Sequence, residues 1–130
     1  WGGHEVDDAR LDLWRSRTRV AGVPPLLVGH FWEYLRQSKP AKRAQVLQFA
    51  TGAARLPSDV EMAQGWTFSI QASTSFPTIE PTPSNGLTGP AMCARASTCS
   101  KTIYLPPYEG MDALQRGLDC SLMDGGFGTA

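Results

Sequence analysis

Three cysteines, Cys93, Cys99 and Cys120, are the side chains of this 130-residue chain best suited to covalent chemistry. Cys99 lies in the stretch STCSKTIYLPPY, residues 97–108, among small hydroxyl residues and just before a short apolar run that ends at two prolines. A thiolate is a strong nucleophile, and its thioesters stay reactive toward amines. The pattern alone favours an inert cysteine at a strand end, and a nucleophile presented on a loop is the alternative.

The sequence has few residues that could join these thiols in a disulfide framework, a metal site or a protease active site. An odd number of cysteines without a C-x-x-C pair does not suggest a disulfide framework, and only His4 and His30 could help them hold a metal. We therefore expect no metal site and an intracellular protein, cytoplasmic and/or nuclear, with reduced thiols. A papain-like protease would need a histidine base, and both histidines lie far from Cys99 in the sequence. A redox pair of Cys93 and Cys99 stays open as a further alternative.

The overall composition narrows the class of partner. Twelve basic side chains balance twelve acidic ones, which argues against a nucleic-acid binder and gives no attraction to an anionic membrane. No apolar run approaches the roughly 18 residues of a membrane-spanning helix. An apolar content of 42% can build the core of one domain. Nucleic acid and an anionic membrane are therefore not expected as partners.

Hydrophobic periodicity predicts the elements that must position Cys99. Apolar residues at helical spacing predict helices over residues 5–17, 28–37, 40–50 and 111–123. Alternation in WTFSIQ and KTIYL predicts strands over 66–71 and 101–105. Gly22, Pro24 and Pro25 make residues 20–28 a connector, and residues 73–96, with four prolines, are expected to form a long loop. The predicted fold is α+β: a small sheet packed against helices, with Cys99 on a loop before a short strand.

The remaining cysteines and the tryptophans have simpler expected roles. Cys120 is predicted to be a core or boundary residue of the last helix, and Cys93 a free thiol in the loop. Trp14, Trp32 and Trp66 are expected to be core aromatics.

Several segments, taken in order, resemble one known family. HFWEYL at 30–35 precedes RAQVLQFATGAARLP at 43–57, and WTFSI, STC, LPPYEG and GFGTA follow at 66–70, 97–99, 105–110 and 126–130. This series resembles the C-terminal lobe of HECT-type ubiquitin ligases over residues 28–130. No single segment is specific, but their common order is.

The resemblance implies a function and a domain layout. It implies a ubiquitin-protein ligase that accepts ubiquitin from a conjugating enzyme as a thioester on Cys99 and transfers it to a substrate lysine, without a cofactor. Thr98 matches the residue before the nucleophile, and Phe127 matches a phenylalanine used in transfer. Residues 1–17 would end the N-terminal lobe, 18–27 would form the inter-lobe hinge, and 28–130 would form the C-terminal lobe.

Departures from the family pattern leave a second function open. Ser97 stands where many members have His, and Ser100 and Lys101 stand where Phe-Asn often follows the cysteine. The alternative is a catalytically weakened HECT-like module that binds ubiquitin or another protein.

Overall fold

The computed structural model describes residues 6–53, 55–84, 86–87 and 89–124. Within them the chain forms helices and strands in the order α1 Asp8–Ser16, β1 Thr18–Ala21, α2 Pro25–Gln37, α3 Pro40–Thr51, α4 Asp59–Ala63, β2 Phe68–Ala72, β3 Thr78–Ile79, β4 Ala91–Met92, β5 Arg95–Ser97, β6 Thr102–Leu105 and α5 Met111–Asp124. The predicted α+β class is confirmed.

A mixed four-stranded sheet lies at the centre, with strand order β1-β2-β6-β5. The pairs β1–β2 and β2–β6 are parallel, and β5 returns antiparallel to β6. The predicted alternation in β2 is confirmed, because Phe68 and Ile70 are buried. Strand β6 lies between two neighbours, and Thr102, Ile103 and Leu105 are all buried. The strand that follows the cysteine is therefore one of the most constrained parts of the chain.

Helices cover this sheet with the apolar faces that their spacing predicted. Both α2 and α3 begin with proline in the first turn, where the missing N–H costs no hydrogen bond. Leu35, Leu47, Leu114 and Leu118 are buried in one hydrophobic core. Most of the folding free energy that holds the sheet in place comes from this burial, at about 25 cal/mol per Å² of apolar surface.

The connector predicted over residues 20–28 is wrong at both ends. Residues 18–21 form β1, and α2 already begins at Pro25. Three of the four β1 residues are exposed, as expected for an edge strand, so no alternation marks it in the sequence. The preceding helix shares the core, since Trp14 is fully buried with its ring edge-on to Trp32 and Phe68, at centroid distances of 5.5 and 5.2 Å.

The long loop predicted over residues 73–96 also contains regular structure. Strands β3 and β4 pair antiparallel within it, and β5 begins at its end. Each strand has two or three residues, too few for periodicity to be detected. Cys93, predicted to be a free loop thiol, is buried, and its backbone N–H donates to the Pro77 carbonyl at 2.8 Å.

The short helix α4 was also missed, although Ser58 and Glu61 form a capping box that marks its start.

One buried arginine joins three separate parts of the chain. Arg43 on α3 donates to the carbonyl oxygens of Leu35 (2.7 Å), Arg36 (2.9 Å) and Val6 (3.0 Å). It also pairs with Asp8 at 2.9 Å. The guanidinium thus satisfies backbone acceptors at the end of α2 and before α1, which fixes α1 against the two central helices.

Candidate active site

Cys99 lies at the tip of the tight turn that joins β5 to β6. The turn comprises residues 98–101, and the Lys101 N–H donates to the Thr98 carbonyl at 3.3 Å. Thr98 and Cys99 are both exposed. The structure therefore presents the thiol to solvent on a short turn between two paired strands, which limits its movement without covering it.

Hydroxyl groups of the turn and of the start of β6 stabilise this turn by hydrogen bonds. The Ser100 hydroxyl donates to Thr102 Oγ1 at 3.0 Å, and Thr102 Oγ1 donates to the Ser100 carbonyl at 3.2 Å. Thr102 is 2% exposed, so this polar pair is held at the edge of the core. The Lys101 carbonyl accepts from the Ser69 N–H at 2.9 Å, which ties the turn to β2. The small hydroxyl residues around the cysteine fix the shape of the turn.

The end of α3 lies directly beside the cysteine turn. Gly52 caps α3 in the left-handed conformation, with φ of 84°. A Cβ atom at Gly52 would lie 3.7 Å from Thr98 Cβ, which is ordinary contact. The sequence did not predict that Gly52 and Thr98 are neighbours, because the two positions are far apart along the chain. The two quoted motifs QFATG and STC thus meet in space.

The three cysteines differ sharply in exposure. None of these described cysteines is in a disulfide: Cys99 is exposed, Cys120 is half-buried on α5 as predicted, and Cys93 is 7% exposed. A bridge between Cys93 and Cys99 would need a buried thiol to meet one at the tip of a turn. Exposure therefore favours Cys99 for contact with a partner.

The LPPY segment after β6 anchors α5 rather than adding reactive groups. The buried Tyr108 phenol donates to the Met92 carbonyl at 2.6 Å. Its burial raises the pKa of Tyr108, and the neighbouring thiols of Cys93 and Cys120 add to the shift. Gly117 on α5 allows this contact, because a Cβ there would overlap both the Tyr108 hydroxyl and the Met92 carbonyl oxygen.

Phe127, the third predicted site residue, lies outside the described residues. Among the described residues, no group of three or more His, Cys, Asp or Glu side chains is placed to hold a metal ion. No described helix combines the length and apolarity needed to cross a membrane.

The fold and the exposed cysteine agree with the comparison to known proteins. The model of the HECT-domain (ubiquitin-transferase) family matches residues 3–130, so the chain belongs to this family. It is 24% identical over 131 residues to the probable E3 ubiquitin-protein ligase hulA of Aspergillus fumigatus, covering 95% of this chain and 14% of that protein. It is 29% identical over 134 residues to the E3 ubiquitin-protein ligase TOM1 of Saccharomyces cerevisiae, covering 96% of this chain and 4% of that protein. The chain thus spans a small part of the length of these relatives.

Proposed function

We propose that this chain carries the acceptor cysteine of a HECT-type ubiquitin-protein ligase and that Cys99 is that cysteine. The observation that carries the proposal is the exposure of Cys99 on a braced turn, in a chain of the ubiquitin-transferase family. The named relatives are E3 ubiquitin-protein ligases, which supports ubiquitin, a ubiquitin-conjugating enzyme and a protein substrate as partners.

The chemistry takes two steps. In the first, the Cys99 thiolate attacks the thioester carbonyl that joins ubiquitin to the conjugating enzyme. A new C–S bond to Cys99 forms, the old C–S bond breaks, and the conjugating enzyme's cysteine leaves as a thiolate. That thiolate takes up a proton equivalent to the one Cys99 lost on ionising. One thioester replaces another, so the exchange is nearly balanced in energy and depends chiefly on positioning.

In the second step, the neutral amine of a substrate lysine attacks the thioester on Cys99. The amide C–N bond forms, the C–S bond breaks, and Cys99 is released as a thiolate while the amine proton passes to a base or to water. The protein's contribution is to hold the thioester in the open, where an amine of another protein can reach it. Thr98 and Phe127 are proposed to shape this surface, Thr98 by its contact with the end of α3.

The packing of α1 alters the proposed domain layout. Trp14 is buried against Trp32 and Phe68, and β1 pairs with β2 over four residues. These contacts favour one body that includes α1 and β1 with the cysteine-bearing sheet. Any hinge to a preceding lobe would then lie before Asp8 rather than at residues 18–27.

A loading assay tests the proposal. The full-length protein is mixed with a conjugating enzyme charged with ubiquitin, and products are separated without reductant. We expect a ubiquitin adduct that thiol reductant removes, absent in Cys99→Ala and retained in Cys120→Ala, which removes a half-buried thiol on α5. If wild type and Cys99→Ala form the same adduct, the enzyme proposal fails and a ubiquitin-binding module remains.

A further inference from the structure

A cleft of about 590 Å³ opens beside the cysteine turn. Lys101, two residues after Cys99, lines it together with Arg10 of α1 and Arg55, which follows α3. Its other lining residues are Thr51, Ala53, Leu56, Pro57, Ser58, Glu61 and Trp66. Three cationic side chains from three separate segments therefore converge on one depression next to the proposed thioester.

The positive charge in this cleft is largely uncompensated. The ion pairs between described residues use Arg36, Lys42 and Arg43, and none uses a cation of the cleft. Glu61, the single carboxylate among the described residues that line the cleft, accepts from the Ser58 N–H and hydroxyl, both at 3.3 Å, in the capping box of α4. Although the chain as a whole has zero formal net charge, these described lining residues carry a net charge of +2, from three cations and one carboxylate.

The backbone of Lys101 adopts an unfavourable left-handed conformation in the cleft. Its φ is 53°, the only positive φ of a described non-glycine residue. A lysine is disfavoured in this left-handed region, whereas Asn and Gly adopt it more readily. A strained residue of this kind is typical of functional sites. The turn thus holds a cation beside Cys99 where Asn or Gly would be more stable.

We propose that this basic cleft selects the acceptor, by binding acidic side chains that lie near the receiving lysine in its sequence. The inference rests on the proposed function of Cys99. An approaching lysine is itself cationic, so three cations beside the thioester repel it unless neighbouring carboxylates offset their charge.

The geometry sets the spacing of the expected acceptor sequence. Lys101 lies two residues from Cys99, and an extended chain spans about 3.3 Å per residue. Carboxylates two to four positions from the acceptor lysine therefore reach the cleft while the amine is at the thioester. Because the cleft is open to solvent, the attraction is screened by salt, with a Debye length of about 10 Å at 0.1 M.

A single-turnover discharge assay tests this inference. The full-length protein loaded on Cys99 is given either of two peptides with one lysine, which carry Glu or Gln two, three and four positions after it. We expect the Glu peptide to be modified about fivefold faster or more at low salt, as several weak exposed pairs would give. The advantage should shrink at high salt. It should fall below about twofold in the double variant Arg55→Gln, Lys101→Asn.

A matched control separates the effect of the cleft from the effect of the protein's net charge. The double variant Arg19→Gln, Lys39→Gln removes two exposed cations that do not line the cleft, and it should keep the preference. Equal rates for the two peptides in wild type, or an unchanged ratio in the cleft variant, overturn the inference while Cys99 loading stands. If loading itself fails, the proposed function is lost. Binding of the Glu and Gln peptides to unloaded protein, followed by fluorescence anisotropy, then decides whether the cleft prefers acidic chains.

Discussion

At the scale of single residues, the candidate site depends on the contrast between Cys99 and Cys93. The pattern around Cys99 favoured an inert cysteine at a strand end, with a nucleophile presented on a loop as the alternative, and the structure exposes this residue. Cys93 was predicted to lie in a loop, but it is buried. Exposure of Cys99 follows from local chemistry, because a turn of Thr, Ser and Lys cannot be buried cheaply. Burial of Cys93 depends on β4 and α5 folding over it, which no local pattern encodes.

Backbone strain at Lys101 gives a prediction at this scale. Lys101→Asn and Lys101→Gln both remove the charge, but only Asn adopts a φ of 53° readily. We expect the Asn variant to be more stable than the Gln variant by about 0.5–1 kcal/mol in urea unfolding, since part of the left-handed cost is relieved. Equal stability of the two variants would show that the turn carries no such strain.

At the scale of elements, the major helices and the two longer central strands were predictable, whereas the short and edge strands were not. Helices α2 and α5 carry an apolar stripe at 3.6-residue spacing, which sequence alone reveals. Strands β3, β4 and β5 have two or three residues, and β1 has no alternation. These strands form because distant partners pair with them, so their signal lies in the tertiary structure.

Two helical glycines give a matched prediction for element packing. Gly117→Ala on α5 should destabilise the fold by about 1–3 kcal/mol, because overpacking against Tyr108 and Met92 exceeds the gain in helix propensity. Gly29→Ala on α2 meets no atom within 4 Å and should stabilise it by about 0.5–1 kcal/mol. Urea unfolding of both variants measures the difference. Stabilisation by both substitutions would contradict the close contact of α5 with Tyr108.

At the scale of the whole molecule, Arg43 is predicted to be the charged core residue whose substitution lowers the folding stability most. Arg43→Met removes the guanidinium that donates to the carbonyls of Leu35, Arg36 and Val6, and should cost about 3–5 kcal/mol of folding free energy. Arg43→Lys should recover only part of this loss, because an ammonium cannot reproduce the planar fork of the guanidinium. Thermal and urea unfolding check both. A Lys variant as stable as wild type would contradict the multidentate role.

Two buried phenols predict how stability depends on pH. Burial raises the pKa of Tyr34, with its hydrogen bond to Asp119 adding to the shift, and burial also raises the pKa of Tyr108. Their stabilising effect is complete below the unfolded tyrosine pKa of about 10 and is lost as pH rises above it, by up to about 1.4 kcal/mol per pH unit for each group. Tyr34→Phe and Tyr108→Phe should flatten the fall in unfolding free energy between about pH 10 and 11. An unchanged slope in both variants would contradict the burial of these two phenols.

The order of the sequence motifs indicated the family, whereas hydrophobic and Gly/Pro patterns predicted only part of the fold. The ordered segments resembling the HECT lobe agree with the family match over residues 3–130. The connector predicted from Gly22 and the prolines at 24 and 25 did not anticipate β1, because pairing with β2 was invisible in the sequence. The basic cleft was likewise missed, since Arg10, Arg55 and Lys101 are brought together only by folding.

The most direct test of the account replaces the sulfur of Cys99 with oxygen and identifies the bond that ubiquitin forms there. Cys99→Ser, given charged conjugating enzyme, should accumulate a ubiquitin ester that thiol reductant leaves intact and dilute hydroxide cleaves. Wild type should give an adduct that reductant removes, and peptide mass spectrometry should locate ubiquitin's C-terminal carboxyl on residue 99 in both. Ubiquitin found on another residue, or an adduct equally sensitive to reductant in both proteins, would contradict the assignment of Cys99 as the acceptor.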